Sequence, residues 1–224
     1  MNNYILLSHV IKSTTPSYGN RDCIEIITNS SIENGETANT SKWFFSNNHI
    51  GTHIDVPKHF SKNGKNTYEI PIENYFFNNV ELVNVPCNSG RLISINDFKN
   101  INDLNIDVEL LLIKTGYENY RIEDKYWNDN PGLSSELASY FRKRFKKLRC
   151  IGFDFISLTS WNHRLEGRLS HREFLTPDQP NSSILIIEDM SLENIASKIN
   201  MVIVAPLFVE DGNGGAVTIF ANIN

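Results

Sequence analysis

Asn48-His49-Ile50-Gly51-Thr52-His53-Ile54-Asp55-Val56-Pro57-Lys58-His59-Phe60 is the stretch from which the rest of the chain can be read. Three of the six histidines fall within eleven residues of it, with one aspartate among them. On a helix His49 and His53 would share a face, but Asp55 and His59 would turn away from it. Gly51, the β-branched residues and Pro57 also oppose a helix. In an extended chain His49, His53, Asp55 and His59 point one way, and Ile50, Ile54, Val56 and Phe60 point to the core. A straight strand would separate the Cα atoms of His49 and His53 by about 13 Å, the limit for two imidazoles on one metal. The chain therefore has to curl at Gly51, and Pro57 stops a regular ladder from continuing to His59.

These residue types carry a specific chemistry. Two imidazoles and a carboxylate (His49, His53, Asp55) suit zinc, manganese or iron and disfavour calcium or magnesium. Three protein ligands leave a coordination position open, as catalytic rather than structural sites do. His59 is then placed to move protons beside the metal.

The surrounding sequence suits an enzyme of this kind. Its 224 residues are 40 % hydrophobic and 21 % charged, enough for one domain over 1–224 with a core that needs no structural metal. Three separated cysteines, Cys23, Cys87 and Cys150, give neither a disulfide framework nor a cysteine zinc site. The net charge of −5 disfavours nucleic acid. The crowded cations Arg142, Lys143, Arg144, Lys146, Lys147 and Arg149 read as a solvated face at a helix C-terminus. The N-terminal apolar run is too short for a signal peptide or a membrane span, so a cytoplasmic protein is expected.

Strands are predicted at Tyr4–Ile11, Cys23–Thr28, Val80–Val85, Val108–Lys114, Cys150–Phe155, Ile184–Ile187, Met201–Val204 and Ala216–Phe220. Most are continuously apolar and should be buried on both faces. The clearest helix spans Ser134–Leu148, and shorter ones are expected after Ser94 and Ser191, both N-cap residues. Interspersed strands and helices place the chain in the α/β or α+β class with a mixed sheet.

The motif resembles the H-x-G-T-H-x-D-x-P-x-H pattern of the cyclase family of metal-dependent hydrolases, in which kynurenine formamidases and isatin hydrolases fall. His49, Gly51, Thr52, His53, Asp55, Pro57 and His59 all match. Leu7-Ser8-His9 with Pro16-Ser17-Tyr18-Gly19, Lys114-Thr115-Gly116, and Ile151-Gly152-Phe153-Asp154 with Ser157 are similar to further family segments. The resemblance implies an α/β single domain, a twisted, barrel-like mixed sheet flanked by helices (the cyclase-like swivelling β/β/α fold), assembled as a homodimer or homotetramer. It also implies one or two ions, zinc or alternatively manganese, with distal ligands His171 and Glu188. His49, His53 and Asp55 would then hold one ion, with Asp55 bridging to a second held by His171 and Glu188. His163 competes with His171 for the distal position. The polar stretch Thr176 to Ser183 lies between the distal pair and would form a lid or interface.

The reaction this implies is hydrolysis of an amide C–N bond in a small, aromatic substrate, as an arylformamidase or kynurenine formamidase carries out, with His59 passing a proton to the leaving nitrogen. The alternatives are a cyclase or lactone and lactam hydrolase, and a metal-binding module without turnover. Tyr18, Trp43, Phe44, Phe45, Tyr117 and Trp161 are the aromatic candidates for a pocket wall.

Overall fold

Four strands of the main sheet run parallel. They are β6 (Val80–Asn84), β8 (Leu110–Lys114), β10 (Cys150–Phe153) and β11 (Leu185–Glu188), paired in the order β6-β8-β10-β11. The computed structural model describes residues 3–176, 183–195 and 198–223. Alternation along these strands serves two cores. Leu111, Ile113, Ile151, Phe153 and Ile186 face one way, while Leu110, Leu112, Cys150, Leu185 and Ile187 face the other.

Antiparallel strands continue the sheet beyond β11. They are β4 (His53–Asp55), β13 (Gly214–Ile223), β12 (Ile199–Pro206) and β5 (Phe76–Phe77), with β1 (Tyr4–Leu6) also paired to β13. The order is β5-β12-β13-β4-β11-β10-β8-β6. Its terminal strands β5 and β6 are separated in sequence only by Asn78 and Asn79. The sheet therefore curls back toward itself and is nearly closed, in agreement with the barrel-like α/β expectation. Its inner face holds Ile54, Val56, Tyr75, Phe77, Val202, Val204 and Ile219.

The other face is covered by the crossover segments of the parallel strands, as crossover helices must be. These carry α1 (Lys125–Asn128), α2 (Glu136–Arg144) and α3 (Arg164–Leu175). Helix α2 buries Leu137, Ala138 and Phe141 and is shorter than the predicted Ser134–Leu148, because Phe145 turns extended. After Ser94 a single 3-10 turn forms, with Ser94 and Asp97 making a reciprocal capping box. No helix follows Ser191 among the described residues. There Glu118 accepts hydrogen bonds from the Leu192 and Glu193 backbone nitrogens instead.

Of the basic cluster, Lys143, Lys146 and Lys147 are exposed as expected, while the three arginines bond backbone carbonyls instead. Arg142 donates to the carbonyls of Glu173 and Phe174, and Arg144 to those of Ile101 and Asn102. Arg149 clasps the carbonyls of Asn74 and Phe76 and pairs with Glu109 at 3.3 Å. Guanidinium forks satisfy carbonyls left over at the C-terminus of α3, in two 3-10 turns and at Phe76.

A two-stranded ribbon, β2 (Ile24–Ser30) with β3 (Thr40–Phe45), stands outside the main sheet. Two short strands, β7 (Leu92–Ile93) and β9 (Gly132–Leu133), pair separately. Residues 177–182, most of the polar stretch expected as a lid or interface, lie outside the described residues. No described helix is long and apolar enough to cross a membrane.

Candidate metal centre

The quoted stretch curls at both ends, and β4 occupies only its middle. Gly51 takes the left-handed conformation, φ 70°, that the reading of the motif required. Pro57–His59 forms a 3-10 turn. Ile50, Ile54 and Val56 are buried on the core side as alternation predicts. Phe60 is not, because the 3-10 turn breaks the alternation and places its ring against His171, 4.9 Å away and nearly parallel.

Strand pairing then assembles the site. β4 lies between β11 and β13, and Glu188 sits opposite His53 while Gly214 sits opposite Asp55. His53, Asp55 and Glu188 thus project from one face of the sheet, the face that α3 covers with His171. Gly214 is required by space. A Cβ there would lie 2.7 Å from His49 Cε1 and 2.6 Å from the Ile54 carbonyl. The glycine opens the room that the His49 ring fills.

The resulting distances define one cluster. His49 Nδ1 is 2.8 Å from Asp55 Oδ1. His53 Nε2 is 3.3 Å from Glu188 Oε2 and 3.6 Å from Asp55 Oδ1. His171 Nε2 is 3.4 Å from Glu188 Oε1 and 3.5 Å from Asp55 Oδ2. One ligand atom from each of His53, Asp55 and Glu188 lies within 4.8 Å of the others, and the same holds for His49, Asp55 and His59. Asp55 is common to both sets, as a bridging carboxylate would be. His53 falls with Glu188 because the two are cross-strand partners, and the 3-10 turn brings the His59 ring 4.2 Å from that of His49. His163 caps α3 and stays exposed outside the cluster, so the structure brings His171 to it and not His163.

Backbone carbonyls set the imidazoles for ligation. A carbonyl can only accept, so His53 Nδ1 donates to Gly51 O at 2.8 Å and His171 Nδ1 to Gly167 O at 2.9 Å. Both rings then present Nε2 to the carboxylates, the orientation that outer hydrogen bonds impose on metal-binding histidines. Glu188 is fixed in turn: its Oε1 accepts from Leu158 N at 2.7 Å and from Ser157 Oγ at 3.3 Å.

Charge in the cluster is balanced between buried groups. Burial works to lower the His53 and His171 values. Glu188 and Asp55 outweigh it, lifting His53 to about 9 and His171 to about 10. Burial works to raise the carboxylates. The imidazoles nevertheless hold Asp55 well below the usual range and Glu188 at about 2. His59 behaves oppositely: burial pulls it down to about 4, leaving it neutral at physiological pH.

One atom is unaccounted for by the protein. Asp55 Oδ2 is buried and has no hydrogen-bond partner, its nearest imidazole nitrogen being His171 Nε2 at 3.5 Å. Desolvating a carboxylate oxygen without a partner is costly. A cation among the imidazole and carboxylate atoms removes that cost, and the donor set suits zinc or manganese. The residues fit a metal.

Groups behind Glu188 went unnoticed in the sequence. Asp189 has φ 54° and is locked by Arg121 through two bonds of 2.8 and 2.7 Å and by the Tyr126 hydroxyl. Thr52 Oγ1 donates to the Asp189 carbonyl at 2.5 Å and accepts from His9 N. The motif threonine thereby ties the chain's start to the strand end that carries Glu188. Asp154 accepts from Thr115 and Gly116, clamping the neighbouring strand end.

The cluster floors an open cleft of about 320 Å³, lined also by Tyr18, Arg21, Phe60, Ser157, Thr159, Arg164 and Arg168. Of the aromatic candidates only Tyr18 lines it, with the Trp161 ring tilted against it at 5.1 Å. Tyr117 is core, and Trp43 and Phe44 stand exposed on the ribbon.

Comparison with known proteins agrees with this architecture. The Cyclase family model, described as "Putative cyclase", matches residues 5–160. The chain belongs to the Cyclase family. It is 26 % identical over 175 residues to a kynurenine formamidase of Bacillus thuringiensis subsp. konkukian, covering 75 % of this chain and 73 % of that protein. Its fold matches that of an isatin hydrolase bound to the product analogue thioisatinate, with TM-score 0.77, 14 % identity, and coverage of 99 % of this chain and 92 % of the other. It also matches a structure described as a potential metal-dependent hydrolase with cyclase activity, with TM-score 0.70, 19 % identity, and coverage of 97 % and 96 %.

Proposed function

We propose that this Cyclase-family protein is a metal-dependent hydrolase that cleaves the amide C–N bond of a small aromatic substrate, with an arylformamide as the leading class. The observation that carries the reading is Asp55. It is a buried carboxylate shared by two ligand sets, with one oxygen left without a partner on the floor of an open cleft. Similarity to a kynurenine formamidase and the fold shared with an isatin hydrolase support the amide as the bond attacked.

In this reading His49, His53, Asp55, His171 and Glu188 hold zinc or manganese, as one ion or two. The metal, when bound, supplies Lewis acidity that polarises a carbonyl and lowers the pKa of water. The protein supplies the rest. The Nδ1–carbonyl bonds of His53 and His171 keep both rings in the ligating orientation, so little reorganisation accompanies reaction. His59, neutral and facing the same cleft, takes a proton and returns it to the departing nitrogen. Phe60 shields the His171 side of the site from water by stacking on that ring.

The test is a screen of the metal-loaded protein against formanilide, N-formylkynurenine and aryl lactones, with His59→Ala as comparison. Formamide turnover that falls about 10²–10⁴-fold in His59→Ala, with metal retained at Asp55, agrees with the reading. Lactone opening without amide turnover would overturn the amidase assignment. A cyclase or lactone hydrolase would then remain, served by the same cluster.

The assembly implied by the family resemblance has a candidate surface in the ribbon. A two-stranded ribbon is marginal alone, yet Ile26, Ile27, Trp43 and Phe44 are exposed on it, Trp43 by 70 %. We propose that a second copy of the chain covers it.

A further inference from the structure

The cleft above the cluster carries positive charge that the protein itself does not neutralise. Arg21, Arg164 and Arg168 all line it. Arg91, Arg121 and Arg149 pair with carboxylates, and among the described residues none of the three arginines in the cleft does so. Apart from the cluster carboxylates, the wall's acidic residue is Asp22. Its oxygens accept from Ser46 and Asn47.

The placement of these cations is electrostatically unfavourable. Arg164 opens α3 and Arg168 follows one turn later. Cations in the first turns of a helix oppose the positive end of its dipole, and like charges four residues apart repel. Arg21 lines the same cleft. Its guanidinium lies 5.7 Å from the Trp161 ring centroid, and that of Arg164 lies 3.8 Å from the same ring. Burial raises the pKa of the Tyr18 phenol, and Arg164 works against that rise. The spacing 164, 168, 171 sets both arginines on the stripe of α3 that delivers His171 to the cluster.

Resting on the hydrolase reading above, we propose that Arg21, Arg164 and Arg168 form an anion subsite that selects amide substrates bearing a carboxylate away from the scissile bond. The aromatic part of the substrate lies against Tyr18 and Phe60, the scissile amide lies over the cluster, and the carboxylate reaches the guanidinium forks. Arginine suits this because its fork meets a carboxylate through two parallel bonds. The anion also relieves the repulsion at the start of α3.

The test compares the metal-loaded protein on 3-formamidobenzoate and on formanilide. The wild-type kcat/KM should favour the carboxylated substrate by about 10–100-fold, the worth of one or two charge-assisted bonds. In an Arg164→Gln, Arg168→Gln double variant that ratio should collapse toward one, while an Arg164→Lys, Arg168→Lys variant should keep part of it. A wild-type ratio at or below one, or a ratio unchanged in the glutamine variant, would overturn the proposal. If neither formamide is turned over, the amidase reading falls and calorimetric binding decides the subsite separately. 3-Acetamidobenzoate should bind wild type about tenfold or more tightly than it binds the glutamine variant, and 3-acetamidobenzamide should show no such difference. Equal affinities for 3-acetamidobenzoate would overturn the proposal, since a carboxylate seated on the metal alone would not sense the arginines.

Discussion

Replacing Gly214 by alanine tests the packing that makes room for His49. The added Cβ would stand 2.6 Å from the Ile54 carbonyl, 2.7 Å from His49 Cε1 and 3.3 Å from Asp55 Oδ1. The first contact is with backbone held between two strands, and Gly214 is itself paired with Asp55. The His49 ring can yield only to the second contact, by leaving its 2.8 Å contact with Asp55, while the first, at a residue with φ 157°, requires the strand itself to shift. Overpacking of one methyl against fixed neighbours costs about 1–3 kcal/mol. For a chain of this size that corresponds to about 2–12 °C in Tm. Differential scanning calorimetry of wild type and Gly214→Ala, each with its metal content measured, should show the lower Tm together with lower metal occupancy. A variant with unchanged Tm and full metal occupancy would refute the claim that this glycine exists to seat His49.

Three further outcomes follow from the geometry. Metal uptake should release protons, because His53 and His171 are raised to about 9 and 10 in the metal-free protein and must lose them to bind. Apparent affinity should then fall by up to about 100-fold per pH unit as pH drops below 9, and a flat pH profile in isothermal titration would contradict this. The same raised values stabilise the metal-free fold fully below the ordinary histidine value of about 6.5, a contribution lost as pH rises through 9 to 10, so metal-free protein should lose Tm at alkaline pH. Arg121→Ala leaves Asp189 buried without its cation and should cost about 3–5 kcal/mol; a Tm within 2 °C of wild type, about what half a kcal/mol produces, would deny Asp189 its structural role. Trp43→Glu should shift the protein to smaller species in light scattering, and an unchanged mass would remove the ribbon as the contact between copies.

The sequence was informative where chemistry and periodicity coincide. The parallel strands were legible because they are apolar on both faces, and the motif because its histidines share a chain segment and its glycine can turn left-handed. Helix α3 was not legible, although its buried positions 167, 170, 171, 174 and 175 follow helical spacing. The stripe is built from Gly167, Ser170, His171, Phe174 and Leu175, while Leu165 and Leu169 face solvent, so a hydrophobicity pattern could not reveal it. Gly167 is there because a Cβ would meet Thr159 at 2.4 Å, a contact made through folding and invisible in local propensity. Which side chains of the motif lie nearest one another was not legible for a related reason. It depends on strand register and on one 3-10 turn, and neither is written in the spacing of the motif. Gly214, Asp189 and Arg121 act through residues far from them in sequence.

The central claim is that Asp55 is shared by a bound metal centre, and elemental analysis tests it most directly. Wild-type protein should carry zinc, manganese or iron, or take one up on dialysis, and Asp55→Asn should lose most of it while the described sheet remains intact by circular dichroism. Wild-type protein that neither carries nor acquires such a metal, or an Asp55→Asn variant that retains its full complement, would contradict the account.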